Sequence, residues 1–261
     1  MIKVFKIGGN VIDNPEMLER FTAEFAAIPG PKVLVHGGGA IASKMQKELG
    51  MQPLMIGGRR VTDADTLRIV SMVYAGLTNK TVVALLQKNN CNALGLSGAD
   101  GDVIRSHKRP PVFSEAAGEV VDYGFVGDVD KVDGQLLMKL IDADIVPVIC
   151  AITHDGNGQL LNTNADTVAQ SVATEIASLA PAELIYCFEK NGVLADPEDD
   201  NSVIAEINPE SFAALKADGT VSGGMLPKLE NAFKAINAGV KRVVIKHAAN
   251  ILTSLQTDIV G

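Results

Sequence analysis

Cysteine is scarce, with three in 261 residues, Cys91, Cys150 and Cys187, and no CxxC pair among them. Each lies in or beside an apolar strand-like run, so they read as small buried hydrophobes of a reducing compartment. The four histidines, His36, His107, His154 and His247, have no zinc-ligand spacing. No uninterrupted apolar run approaches 18 residues, and Ile2 enters a strand directly with no signal peptide before it. The expectation is a soluble, cytoplasmic protein with no membrane partner. A GxxxxGK[ST] motif is missing, which excludes a P-loop. Positive charge is short, 23 Lys and Arg against 31 Asp and Glu for a net −8, which argues against a nucleic-acid partner. An anionic substrate would need local cations against that field, so each Lys or Arg near a glycine turn gains weight.

With 47% apolar and 21% charged residues, the chain has the composition of an ordinary globular enzyme. Near-continuous apolar runs at 2–7, 32–36, 93–96, 145–150, 183–188 and 241–246 predict strands covered on both faces. Helical patterns span 15–27, 40–49, 63–88, 134–142, 165–178, 209–216 and 225–238. The alternation predicts an α/β fold with a mostly parallel central sheet and helices on both faces. Residues 102–129 and 190–207 break the alternation and read as β-hairpins added to that sheet. One domain with two lobes is expected, about 1–180 and about 181–261.

Chemistry concentrates at glycine. Lys6-Ile7-Gly8-Gly9 ends the first strand, and His36-Gly37-Gly38-Gly39 ends the second and opens a helix. Glycine lets backbone N–H groups approach a ligand, and such turns at helix starts bind anions, above all phosphate. Ligands of parallel sheets sit at the carboxyl ends of the strands, where both turns fall. Gly37–Ala42 also fits the GxGxxA dinucleotide pattern, which requires an acidic residue about 20 positions on. That region holds Arg59-Arg60 instead, suiting a negatively charged ligand. Asn162-Thr163-Asn164-Ala165-Asp166 leads into a helix, and taken alone it reads as a cap followed by a first-turn carboxylate. Ser222-Gly223-Gly224-Met225-Leu226-Pro227-Lys228 places a lysine at the positive end of a helix dipole, which makes sense if an anion binds there.

Together these motifs, with Gly58-Arg59-Arg60-Val61-Thr62 and Leu96-Ser97-Gly98, resemble the amino acid kinase family, most closely its acylglutamate kinases, over residues 6–246. The resemblance implies a three-layer amino acid kinase sandwich, with an acylated amino acid over the N-terminal lobe and ATP over the C-terminal lobe. It implies transfer of the γ-phosphoryl group to the γ-carboxylate of N-acetyl-L-glutamate in arginine biosynthesis, with Mg2+ accompanying ATP. Lys6 and Lys228 would be catalytic, stabilising charge on the phosphoryl oxygens, and Asp166 would hold both. Gly8, Gly9, Gly38 and Gly39 would donate backbone N–H groups to phosphates and substrate. Arg60 would grip the α-carboxylate with a bidentate fork, and Asn162 would bond beside it. Gly223, Gly224 and the turn with Glu189 and Gly192 would contact the nucleotide.

That last turn reads Phe188-Glu189-Lys190-Asn191-Gly192-Val193, where the family usually has Asp-Val-x-Gly-Val, so it departs by a longer carboxylate and an added lysine. Arg59 reads either as a solvated charge or as the partner of an extra carboxylate, as in N-succinylglutamate. Carbamate, aspartate, uridylate and glutamate 5-kinases are alternatives within the family. A catalytically silent nucleotide or amino-acid sensor and an NAD-dependent dehydrogenase are alternatives outside this activity. The helix at 63–88 carries apolar residues on more than one face, which predicts a homodimer built on it. Larger arginine-regulated relatives carry an extra N-terminal helix; with the first strand at Ile2, no arginine inhibition is expected.

Overall fold

The computed structural model describes residues 1–221 and 225–261; Ser222, Gly223 and Gly224, two of them expected at the nucleotide, lie outside the described residues. In chain order the strands are β1 (Ile2–Ile7), β2 (Lys32–His36), β3 (Met55–Ile56), β4 (Arg59–Arg60), β5 (Ala93–Leu96), β6 (Ile104–Lys108), β7 (Val112–Ser114), β8 (Glu119–Val121), β9 (Gly127–Val132), β10 (Val146–Cys150), β11 (Ile152–His154), β12 (Leu160–Asn162), β13 (Ala182–Phe188), β14 (Glu206–Ile207), β15 (Arg242–His247) and β16 (Thr257–Ile259). The helices are α1 (Gly9–Ile12), α2 (Pro15–Ala27), α3 (Gly39–Glu48), α4 (Ala64–Ser71), α5 (Asn79–Lys88), α6 (Gly134–Asp142), α7 (Ala165–Leu179), α8 (Pro209–Ala217) and α9 (Met225–Asn237). A π-helical turn, Met72–Thr78, joins α4 to α5 in one rod.

An eight-stranded sheet runs β14-β16-β15-β13-β1-β2-β10-β5, parallel except where β16 meets β15. The expected mostly parallel α/β sandwich is therefore the observed fold. Alternation along β1 decides what each face receives. Ile2 and Val4 pack with Val168, Val172 and Ile176 of α7 and with α9. Phe5 and Ile7 pack on the other face with Phe21 and Phe25 of α2 and with Val82 and Leu86 of α5. Lys6 follows the first set and so lies on the α7 side. The register aligns Ile7 with His36 and with Cys187, and His36 with Cys150, so four strands end at one edge.

Expected strand and helix bounds shift by a residue or so, and three features differ more. Residues 102–129 are not added to the central sheet. β6 and β9 form a separate four-stranded sheet with β11 and β12, whose strands are too short to have a sequence period, and β7–β8 is a hairpin of its own. In 190–207 only β14 joins the central sheet, through β16, and Leu194 and Val203 form an isolated bridge. The helix expected over 63–88 contains the π turn. This rod, 25 residues with a mean hydropathy of 1.5 over its most apolar stretch, is long and apolar enough to cross a membrane by length and composition. Its Leu67, Val70 and Val73 nevertheless pack against Cys150 and Ile152, as core residues of the fold. All three cysteines are buried and free, as expected.

Candidate active site

The β1–α1 turn, the β2–α3 turn, the β3–β4 hairpin and the start of α7 enclose a cleft of about 820 Å3. Of the expected site residues it is lined by Lys6, Gly8, Gly9, Gly38, Gly39, Arg60 and Asn162. Gly8 is the N-cap of α1 and Gly38 the N-cap of α3. The first amides of a helix have no intrahelical partner, so both turns present unsatisfied N–H groups. At Gly38, with φ +156°, a Cβ would stand 2.9 Å from Tyr74 Cδ1 and 3.2 Å from Thr78 Oγ1, so only glycine fits.

Lys6 Nζ lies 2.7 Å from Asp166 Oδ1. The contact is an ion pair without hydrogen-bond geometry, since Oδ1 has no hydrogen-bond partner among the described residues. Lys228, in the first turn of α9, donates from Nζ to Asp166 Oδ2 at 3.4 Å. One carboxylate thus joins β1, α7 and α9. Burial pushes the Asp166 carboxyl up, but the charges of Lys6 and Lys228 outweigh it and hold it below its ordinary value. The helix-cap reading is also true: Asn164 Oδ1 accepts from the N–H groups of Asp166 and Thr167. The carboxylate answers why a lysine sits at the positive end of α9. Lys6 Nζ is also 3.7 Å from the position a Gly8 Cβ would occupy, which places the ammonium at the glycine turn.

Arg60 is 8% exposed. A two-residue turn, Gly57 and Gly58 with φ of +56° and +74°, makes the hairpin that delivers it. Its Nη1 donates to Gln46 Oε1 at 2.6 Å, and its Nη2 donates to Gly39 O at 2.8 Å and Ser43 Oγ at 2.7 Å. Three of five guanidinium donors are therefore held by α3, leaving the Nε–H and one Nη1–H for a ligand. Asn162 Nδ2 donates to Thr62 Oγ1 at 3.0 Å, which donates to Arg60 O at 3.1 Å, tying β12 to the hairpin.

His36 is fully buried, and Asn79 Nδ2 donates both to its Nε2 at 2.9 Å and to Val148 O at 3.0 Å. Nε2 is therefore the acceptor, and Nδ1–H donates to Gly37 O at 2.8 Å. Burial pushes this imidazole down to about 4, so it is neutral at pH 7 and acts as a clasp on the glycine turn. Arg59 is exposed, lines the cleft, and makes no ion pair among the described residues. Arg109 also lines the cleft, with its Nε 3.1 Å from both carboxylate oxygens of Asp128.

Glu189 is exposed and lines neither this cleft nor the smaller cavity beyond Phe188. Gly192 lines that cavity, about 570 Å3, with Lys190, Val193, Leu194, Pro197 and Met225. A Cβ there would stand 2.5 Å from Thr257 Oγ1, so close packing against β16 is reason enough for the glycine. The first turn of α9 lines this cavity through Met225 and reaches Asp166 through Lys228.

The sequence reading missed Ser43, Gln46, Tyr74 and Thr163. Gly39, Ser43 and Gln46 had a signal, because their spacing places three acceptors on one face of a helix opening at a glycine turn. Tyr74 had none, since it sits among apolar residues whose phase the π turn shifts.

The model of the amino acid kinase family matches residues 1–247. The chain is 53% identical to the acetylglutamate kinase of Bacteroides thetaiotaomicron over 250 residues, 96% of this chain and 95% of that one. It is 51% identical to the acetylglutamate kinase of Cytophaga hutchinsonii, over 95% and 92% of the two chains. Among solved structures, N-acetylglutamate synthase of Neisseria gonorrhoeae with coenzyme A and N-acetyl-glutamate superposes with a TM-score of 0.82 at 20% identity. That match covers 100% of this chain and 59% of the other. Carbamate kinase of Giardia lamblia bound to AMP-PNP gives 0.66 at 17% identity, covering 99% and 98%. At these identities the two structures speak for the fold alone.

Proposed function

The chain belongs to the amino acid kinase family, and on that premise we propose that it phosphorylates the γ-carboxylate of N-acetyl-L-glutamate with ATP, in arginine biosynthesis. The product is N-acetyl-L-glutamyl 5-phosphate, an acyl phosphate. The observation that carries the reading is the Lys6–Asp166–Lys228 bridge, whose Lys6 lines a cleft together with two glycine turns and Arg60. The high identity to acetylglutamate kinases over nearly the full chain supports the choice of acceptor.

The acceptor carboxylate is ionised at pH 7, so no proton has to be removed. A γ-carboxylate oxygen attacks Pγ, the bond from Pγ to the β–γ bridging oxygen breaks, and ADP leaves with that oxygen and its electron pair. The protein contributes alignment and charge neutralisation. Lys6 and Lys228 face the phosphoryl oxygens, held apart and oriented by Asp166. The amides of Gly8, Gly9, Gly38 and Gly39 donate to phosphate and acceptor oxygens, and Arg60 and Asn162 hold the acceptor's backbone end. The smaller cavity with Gly192 takes part of the nucleotide. Mg2+ enters with ATP, whose charge it offsets. Among the described residues no group of three or more His, Cys, Asp or Glu forms a metal cage. Phosphate oxygens and water would therefore supply most of its ligands.

On this reading the chain has an acceptor lobe, about 1–180, and a nucleotide lobe, about 181–261, and works as a cytoplasmic homodimer. The assay is ADP release with ATP and a panel of N-acetylglutamate, N-succinylglutamate, glutamate, aspartate and carbamate. N-acetylglutamate is expected to give the highest kcat/KM; turnover with carbamate or free amino acids alone would overturn the reading. A succinyl acceptor is the second reading, favoured by Arg59, a cation at the cleft without an ion pair among the described residues. If Arg59 pairs with a third carboxylate, Arg59→Ala lowers kcat/KM for N-succinylglutamate and leaves that for N-acetylglutamate unchanged.

A further inference from the structure

Tyr74 belongs to the π turn that joins α4 to α5. An extra residue in a helical turn shifts the side chains that follow, and such turns recur at functional sites. Here the shift lays the Tyr74 ring on Gly38: the position of a Gly38 Cβ is 2.9 Å from Cδ1 and 3.2 Å from Cε1. The hydroxyl continues to the next residue. The position of a Gly39 Cβ is 3.7 Å from Tyr74 Oη and 3.9 Å from Arg60 Nη2. The phenol and the guanidinium therefore meet over one glycine, at the mouth of α3.

The residue is 6% exposed, and what remains exposed lines the cleft. A buried phenol normally finds a hydrogen-bond partner. Among the described residues no protein acceptor stands in hydrogen-bond geometry to this one, whereas Tyr123 and Tyr186 donate to the carbonyls of Ile56 and Asp166. Around the Tyr74 hydroxyl the groups facing the cleft are donors: the first amides of α3 and the two guanidinium N–H groups of Arg60 left over from Gln46, Gly39 and Ser43. Burial pushes the phenol up from its ordinary value, so it keeps its proton at neutral pH and remains a donor. The nearby acceptors Gly39 O and Ser43 Oγ are taken by Arg60, so the donors left over around one small space suit a carboxylate.

We propose that Tyr74 is an acceptor-binding residue, whose hydroxyl donates to the same carboxylate that Arg60 holds, the α-carboxylate of the N-acylglutamate. The inference rests on the kinase reading and adds to it a third recognition group, contributed by the helical rod rather than by the glycine turns or the hairpin. The phenol can donate only one hydrogen bond, so it fixes one oxygen while the guanidinium and amides take the other.

The test is Tyr74→Phe in the full-length chain, which keeps the ring on Gly38 and removes only the hydroxyl. A hydrogen bond to a charged group is worth roughly ten- to a hundredfold in binding. KM for N-acetylglutamate should rise by about that factor, with KM for ATP and the unfolding midpoint unchanged. The second arm uses N-acetylisoglutamine, in which the α-carboxylate is an amide. Against this poorer substrate the penalty of Tyr74→Phe should shrink, because the charged partner is gone from both enzymes. Wild-type kinetics in Tyr74→Phe, or an equal penalty with both acceptors, would overturn the assignment while leaving the kinase reading intact. Absence of turnover in the wild type with any N-acylglutamate would overturn both.

Discussion

Lys6, Asp166 and Lys228 come from three elements far apart in the chain and are joined by charge. The carboxylate is held ionised against burial by two ammonium groups. An anionic phosphoryl group entering beside them meets cations that are already in place, which is the condition for electrostatic catalysis. Lys6→Ala and Lys228→Ala are each expected to raise the barrier by about 2.7–4 kcal/mol, seen in kcat more than in KM. Steady-state kinetics decides it: near-normal kcat in both variants would remove these residues from the chemistry. Arg60→Lys is the contrasting case. Its donors to Gln46, Ser43 and Gly39 orient the two that remain for a ligand, and an ammonium cannot reproduce that fork. KM for the acceptor should rise with KM for ATP little changed; the reverse would move Arg60 to the nucleotide. Lys6 was legible in sequence, because glycine and charge stood together where a parallel strand ends; Lys228 and Arg60 stood beside glycines at a helix start and in a turn, and the family resemblance supplied their roles. The acceptors that hold Arg60 were harder to see, since Ser43 and Gln46 look like any polar helix face until the hairpin folds over them.

Between elements, the clasp from α5 to β2 positions the second glycine turn. Asn79 spans from His36 to the carbonyl of Val148, so it fixes the imidazole tautomer and ties β10 to β2 as well. This predicts a pH signature. His36 titrates at about 4 in the folded chain and near 6.5 when unfolded. Between those values the unfolded chain takes a proton that the folded chain refuses, so stability present above about pH 6.5 falls as the pH drops towards 4. The slope from one such group is at most about 1.4 kcal/mol per pH unit. Urea unfolding at pH 7, 5.5 and 4.5 should show a larger loss in the wild type than in His36→Gln, and equal losses would contradict the clasp. Element positions were largely legible: β1, β2, β5, α2 and α6 begin and end where the patterns place them. The second sheet was not, because β11 and β12 are three residues each and owe their pairing to β6 rather than to any period of their own. The π turn was invisible for a related reason, since one extra residue in a helix changes phase without changing composition.

At the scale of the molecule, the rod from Ala64 to Lys88 serves the core with one side and leaves Met72 and Leu77 half exposed on another, at 50% and 52%. The same rod delivers Tyr74 and Asn79 to the β2–α3 turn, so an interface built on it would stiffen the acceptor side of the cleft. Leu77→Asp is expected to lower the mass measured by light scattering at micromolar concentration from two chains to one. A monomeric wild type would contradict the dimer. The central claim, transfer to a carboxylate, is tested most directly by trapping the product. With ATP, Mg2+, N-acetylglutamate and hydroxylamine, the enzyme should form the γ-hydroxamate of N-acetylglutamate in step with ADP, and Lys6→Ala should form it far more slowly. ADP released without hydroxamate, or no ADP at all, would contradict the account.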